Sequence, residues 1–177
     1  MPTEELVVLL SEEGTPIGTA DKATVHTTET PLHFAFSCHL FNGDGKLLVT
    51  RRALSKKTWP GVWTNSFCGH PGPDESAVDA VHRRAREELG LSLSSVREAL
   101  PDFRYRAVDA SGVVEYEICP VFIATTDENP SPSADEVEEY YWADAPTLLT
   151  AVENAPFAFS PWLTLQLPAL AKAGLLT

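Results

Sequence analysis

The stretch Glu75–Leu89 constrains the fold more than any other part of the chain. Positions 77, 81, 84 and 88 form one stripe at helical spacing, and 78, 82, 85 and 89 form the stripe beside it. Asp74, following Pro73, is placed to cap the N-terminus, and Gly90 stands where a left-handed C-terminal residue is wanted. Around this predicted helix the chain reads mostly as strands. Leu6–Leu10 is a short apolar run ended by Glu12-Glu13-Gly14. Leu32–Phe41 turns at Asn42-Gly43-Asp44-Gly45 into Lys46–Thr50, as a hairpin would. Val113–Thr125 is predicted as one long strand, in which Pro120 marks an edge or a bulge, and Glu138–Trp142 as a further strand. Asn129–Ser133, with two prolines, is a loop. Ser160 and Pro161 supply the N-cap and first position of a final helix. Strands and helices in this order, without a regular βαβ alternation, predict an α+β chain: an α/β sandwich with mixed and antiparallel sheets.

The 177 residues are 44% hydrophobic, enough for one domain spanning 1–177 with a core. Thirteen Lys and Arg against 25 Asp and Glu give a net charge of -12, which argues against non-specific nucleic-acid binding. A phosphorylated ligand is still compatible, because a few converging cations dominate the field inside a cleft. No apolar run reaches the roughly 18 residues of a membrane span, so no membrane partner is expected. The N-terminus, Met1-Pro2-Thr3-Glu4-Glu5, is acidic where a signal peptide is basic. Cys38, Cys68 and Cys119, an odd and unpatterned set, read as reduced thiols of a cytoplasmic protein. Nothing in the sequence fixes an oligomeric state.

Five groups of residues can carry chemistry. Glu115 and Glu117 lie two apart on a predicted strand, on one face, with Cβ atoms roughly 7 Å apart. Like charges there need a metal ion, a shared proton or solvent exposure. His26, His33 and His70, with those glutamates, allow a nitrogen–oxygen site for a divalent metal, although the His26/His33 spacing is not a zinc-finger signature. His39 and His82 need only a structural reading, as do Cys38 and Cys119. Cys68 differs: it adjoins Gly69, His70 and a Pro/Gly turn, where a thiol can handle protons. Arg84 and Glu88 share the inward helix stripe, as a ligand site or an internal ion pair. Arg51, Arg52, Lys56 and Lys57, ahead of Trp59-Pro60-Gly61, form either an anion site or a solvated basic loop.

Residues 69–91 read Gly-x5-Glu-x7-Arg-Arg-Ala-x-Glu-Glu-x-Gly-Leu, which resembles the Nudix box. The usual box has Arg-Glu where this chain has Arg83-Arg84, and that Glu helps bind the metals of diphosphate hydrolysis. An arginine cannot ligate a cation, so the departure puts hydrolysis in doubt. Further stretches, in order, resemble the type I isopentenyl-diphosphate isomerase family. They are His26-Thr-Thr-Glu-Thr-Pro-Leu-His33, Thr50–Gly61, Trp63–Pro71, Asp102–Arg106, Glu115-Tyr-Glu117 and Phe159–Trp162.

The resemblance implies a Nudix-like fold and one Mn2+, Zn2+ or Mg2+ held by His26, His33, His70, Glu115 and Glu117. It implies a second ion, Mg2+, bound with the diphosphate by Glu88 and the Cys68 carbonyl. Lys22, Arg52, Lys56 and Arg84 are implied at the diphosphate. Cys68 and Glu117 are implied as the two proton carriers, with Tyr105 hydrogen-bonded to Glu117, the pair giving the proton and Cys68 accepting one. The implied substrates are isopentenyl and dimethylallyl diphosphate, interconverted through a tertiary carbocation. Such a cation needs a dry pocket, and the Trp162 π face would favour it. A Nudix diphosphohydrolase and a non-catalytic metal or phosphate sensor are the alternatives.

Overall fold

The computed structural model describes residues 4–176. Two sheets share the work of placing the chemistry. Strands β1 (Leu6–Leu10), β2 (Pro16–Asp21) and β3 (His33–Phe34) open the chain. After them come β4 (Phe36–Phe41), β5 (Leu47–Arg52), β6 (Trp63–Thr64) and β7 (Phe67–Gly69). Helix α1 (Ala77–Leu89) precedes β8 (Ser95–Leu100), β9 (Arg104–Val108), β10 (Val114–Ile118) and β11 (Val121–Thr125). Strand β12 (Val137–Ala143), α2 (Ala145–Asn154), a 3-10 turn at Pro156–Ala158 and α3 (Pro161–Lys172) complete it. The first sheet runs β2-β1-β3-β10-β9 and the second β12-β5-β4-β11-β8, with β6 added to β5 and β7 to β4.

The second sheet carries α1 on one face and α2 with α3 on the other, an α/β/α sandwich. Side chains sort by the two-residue period of a strand. On β5, Leu48 joins Phe36, Phe67, Val81 and Leu89 under α1, while Leu47 and Val49 join Leu148, Val152, Leu163 and Leu167 under α2 and α3. On β11, Phe122 faces α1, and Val121 and Ile123 face the other layer.

Two predicted strands each divide in two. Leu32–Phe41 breaks at Ala35 into β3 and β4, and Val113–Thr125 breaks at Cys119-Pro120 into β10 and β11. Each pair crosses from the first sheet to the second. The crossings run side by side and parallel: Glu117 pairs with His33, and Val121 with Ser37. Pro120 has no N–H to give a ladder, so it sits at the switch, and its carbonyl accepts from Ser37 N. It therefore lies on no edge strand, since β11 is interior, although the β11/β8 ladder does shift register between Val121 and Phe122.

The predicted α1 start at Glu75 is also corrected. Ser76, not Asp74, is the N-cap, its side chain accepting from Asp79 N, and Asp74 adopts a left-handed φ of 63°. Of the second stripe, Val78 is exposed and His82 only half-buried, so the buried face is narrower than the pattern suggested. Gly90 closes the helix as expected, at φ 63°. The Asn129–Ser133 loop then caps it: Ser131 N and Ser133 N donate to the Leu89 and Glu88 carbonyls. That capping carries the chain to Glu136, beside α1. Ser160 caps α3 and Pro161 stands at its first position, as predicted.

Candidate active site

The crossing strands create the site. In the first sheet Glu117 on β10 has His33 of β3 on one side and Tyr105 of β9 on the other. In the second, Cys68 on β7 is paired with Ser37 on β4. Both rows open on one cavity of about 190 Å³, whose walls include Cys68, His70, Tyr105, Glu117 and Trp162.

His26, His33 and His70 present ring nitrogens that all lie within 4.8 Å of one another, and His33, Glu115 and Glu117 do likewise. His26 Nε2 stands 3.0 Å from Glu115 Oε2, and Glu117 Oε2 lies 3.3 Å from His33 Nε2 and 2.9 Å from His70 Nε2. His26 Nε2 and His33 Nε2 are buried yet lack a hydrogen bond of acceptable geometry. Unpaired buried nitrogens aimed at two carboxylates are what a divalent cation would satisfy, and the donor set of three imidazoles and two carboxylates fits one. His33 Nδ1 is tied to the Pro31 carbonyl at 2.9 Å, and Glu115 Oε1 accepts from Thr58 Oγ1 at 3.1 Å, so the outer contacts that orient ligands are present. Burial works against the charged form of Glu117, but the His33 and His70 imidazoles outweigh it and hold its carboxyl well below the usual range. Burial also pushes the Tyr105 phenol well above its ordinary value, so it keeps its proton, which it donates to Glu117 Oε1.

Cys68 is half-buried, and desolvation raises its thiol to about 12 despite bonds to Ser37 and Asn65 that act the other way. Its sulfur lies 3.3 Å from Asn65 Oδ1. Asn65 Nδ2 is committed to the Cys38 and Phe67 carbonyls, so Oδ1 can only accept, and Cys68 bears its proton. The same Oδ1 accepts from Trp162 Nε1 at 3.0 Å. Trp162 is 3% exposed and packs against Tyr105 and Cys119 while also lining the cavity, so it is both core and wall. The Arg52 guanidinium lies 5.3 Å from its ring centroid.

The same cavity gathers cations. Lys22, Arg52, Lys56 and Arg84 all line the cavity. Arg84 is buried and reaches Glu87, Glu88 and Glu136 at 3.1, 3.0 and 3.3 Å, and Lys56 pairs with Glu136. Burial opposes the Arg84 charge, but the carboxylates beside it, Glu88 first, raise its pKa. Lys22 is paired with Glu5 at 2.6 Å. Of the basic loop, Arg51 turns away to Glu139 and the Gly61 carbonyl, while Lys57 donates to the His26 carbonyl at 2.6 Å. Apart from Arg51, every residue singled out for the site lines this cavity except His33, which lies beside it in the His/Glu cluster. Ser37, Asn65, Gln166 and Glu136 join the site or its surroundings without a sequence signal of their own. Asn65 lay within the matched stretch Trp63–Pro71, whereas nothing near Glu136 distinguished it from other acidic residues.

The family model of the NUDIX domain matches residues 31–163. A Leifsonia xyli protein named isopentenyl-diphosphate Delta-isomerase is 67% identical over 174 residues, covering 97% of this chain and 94% of that protein. The chain belongs to the isopentenyl-diphosphate Delta-isomerase family of NUDIX-domain proteins. Other members with that name, from Clavibacter sepedonicus and Corynebacterium glutamicum, are 65% and 62% identical. They cover 94% and 96% of this chain and 87% and 93% of their own lengths. The fold is also that of the DR0079 protein of Deinococcus radiodurans, with a TM-score of 0.73 at 20% identity, covering 93% of this chain and 98% of that one. The family's fold expectation therefore holds, and a NUDIX domain with a His/Glu donor cluster points to divalent metal use. No helix among the described residues is long and apolar enough to cross a membrane.

Proposed function

We propose that this cavity interconverts isopentenyl diphosphate and dimethylallyl diphosphate by moving one proton onto the alkene and another off the neighbouring carbon. The observation that carries this reading is that two proton carriers, the Cys68 thiol and the Tyr105–Glu117 pair, line one cavity together with Lys22, Arg52, Lys56 and Arg84. Protonating the terminal alkene carbon gives a tertiary cation, and loss of a proton from the adjacent methylene gives the allylic isomer. The reversible reaction needs a carrier on each side. One state of the pair is thiol with carboxylate, and the other is thiolate with carboxylic acid. If the Tyr105–Glu117 pair protonates isopentenyl diphosphate and Cys68 takes the second proton, thiol with carboxylate follows that conversion and starts the reverse one. The Cys68 bond to Asn65 corresponds to this state.

Trp162, desolvated and tied to Asn65, offers its π face to the cation, worth roughly 2 kcal/mol in such surroundings. Lys22, Arg52, Lys56 and Arg84 hold the diphosphate through their positive charge. His26, His33, His70, Glu115 and Glu117 would hold one Mn2+, Zn2+ or Mg2+, and Glu88 with the Cys68 carbonyl would hold Mg2+ with the diphosphate. When bound, the first ion supplies fixed positive charge that keeps the two carboxylates together. Arg84, where a NUDIX hydrolase of the usual pattern has a metal-binding Glu, supports isomerisation over hydrolysis.

Incubation with isopentenyl diphosphate and Mg2+ tests the reading. Dimethylallyl diphosphate without phosphate release is expected. Phosphate release would make the protein a diphosphohydrolase, and binding with no conversion would make it a sensor.

A further inference from the structure

A buried polar chain runs from His39 to the Cys68 sulfur, and no step above uses it. Ser37, His39, Cys119 and Gln166 are each at most 1% exposed. His39 Nε2 lies 2.9 Å from Gln166 Oε1, and Gln166 Nε2 lies 2.9 Å from Ser37 Oγ. Ser37 Oγ lies 3.4 Å from Cys68 Sγ and 3.3 Å from Cys119 Sγ.

The direction of each bond follows from the donor inventory. His39 Nδ1 is buried without a partner among the described residues. A buried N–H left unpaired is rarer and costlier than an unpaired lone pair, so the imidazole proton sits on Nε2 and is donated to Gln166 Oε1. Gln166 must then donate its amide N–H to Ser37 Oγ. A buried free cysteine carries its S–H, and Ser37 Oγ is the acceptor 3.3 Å from Cys119 Sγ. With its oxygen accepting twice, Ser37 has its single hydrogen left for Cys68 Sγ. The sulfur thus stands between a donor, Ser37, and a group that only accepts, Asn65 Oδ1.

We infer that Ser37, held by Gln166 and His39, is a positioning residue for the isomerisation. Its hydroxyl meets the electron pair left on Cys68 Sγ when the sulfur's proton is on the substrate carbon. Asn65 meets the S–H when the proton returns. The inference rests on the reading of Cys68 as a proton carrier. A sulfur flanked in this way has a partner in both halves of a reversible cycle and need not move between them.

Steady-state kinetics on the full chain, with isopentenyl diphosphate and Mg2+, test it. Ser37→Ala should lower kcat about tenfold or more, the loss expected for one hydrogen bond to a charged atom. KM should stay within about twofold, because the diphosphate cations are untouched. Ser37→Thr should restore most of kcat. Should Ser37→Ala not fold, Gln166→Met takes its place, and a fall in kcat of about threefold at unchanged KM is expected. The inference is overturned by a kcat for Ser37→Ala within twofold of wild type, whatever its melting temperature. It is equally overturned by Ser37→Thr being as impaired as Ser37→Ala, or by Gln166→Met turning over normally. Full turnover by Cys68→Ala would instead remove the reading of Cys68 on which the inference stands.

Discussion

Gly69, between Cys68 and His70 on β7, is a sharp place to perturb the site without touching its chemistry. Its φ is not in the left-handed region, so Ala is not excluded by the backbone. Space is the obstacle. A Cβ there would meet Arg84 Cγ at 2.6 Å and the Phe36 ring at 2.8 and 2.9 Å. Ordinary carbon contacts lie near 3.5–4.0 Å, so something must move by roughly 1 Å. Phe36 is fully buried in the α1 layer, and the Arg84 guanidinium is anchored to Glu87, Glu88 and Glu136. Neither yields cheaply. Overpacking of this kind costs about 1–3 kcal/mol, which for a chain of this length lowers Tm by roughly 2–12 °C. The strain falls on the strand that carries Cys68 and His70, and a displacement of about 1 Å there should lower kcat by up to about 100-fold. Calorimetry and turnover assays on Gly69→Ala measure both effects. Gly18→Ala, where a Cβ meets nothing within 4 Å, is the control. A Gly69→Ala protein with wild-type Tm and kcat refutes the packing argument.

Two other perturbations separate the parts of the account. Arg84→Ala should raise KM for isopentenyl diphosphate at least about tenfold, since a buried positive charge on the cavity wall is lost; an unchanged KM would make Arg84 a structural ion pair. His39, depressed by burial from the ordinary 6.5 to about 4, takes up its proton more readily in the unfolded chain. Stability should therefore fall as pH drops from 6.5 to 4, with roughly 3 kcal/mol from this residue across the full interval. Denaturation of His39→Gln over that range should show a flatter acid limb, and an identical slope would remove His39 as its cause.

Much of the site was legible because its residues sit in contiguous motifs, and the α1 stripe carrying Arg84 and Glu88 was readable from period alone. Strand identity was less so. An apolar, aromatic or β-branched run looks the same whether it stays in one sheet or crosses to another, so the breaks at Ala35 and Pro120 were hidden although Pro120 marked one of them. Strand β2, with exposed Ile17 and little burial, has no core-facing pattern to read. Helix α2 begins Ala145-Pro146 after its Asp144 cap, a start signal written in the sequence but overshadowed by the strand pattern before it. The His39–Gln166–Ser37 chain joins residues up to 129 apart, and nothing local in the sequence ties them together.

The most direct measurement follows the protons. Isopentenyl diphosphate turned over in D2O should give dimethylallyl diphosphate with a solvent deuterium in a methyl group, because the proton delivered and the proton removed use different carriers. Mass spectrometry or NMR of the product reads this. A product in which the hydrogen lost from the methylene reappears in the methyl, with no solvent label, would mean that a single group shuttles it and that two separate proton carriers are not how this cavity works.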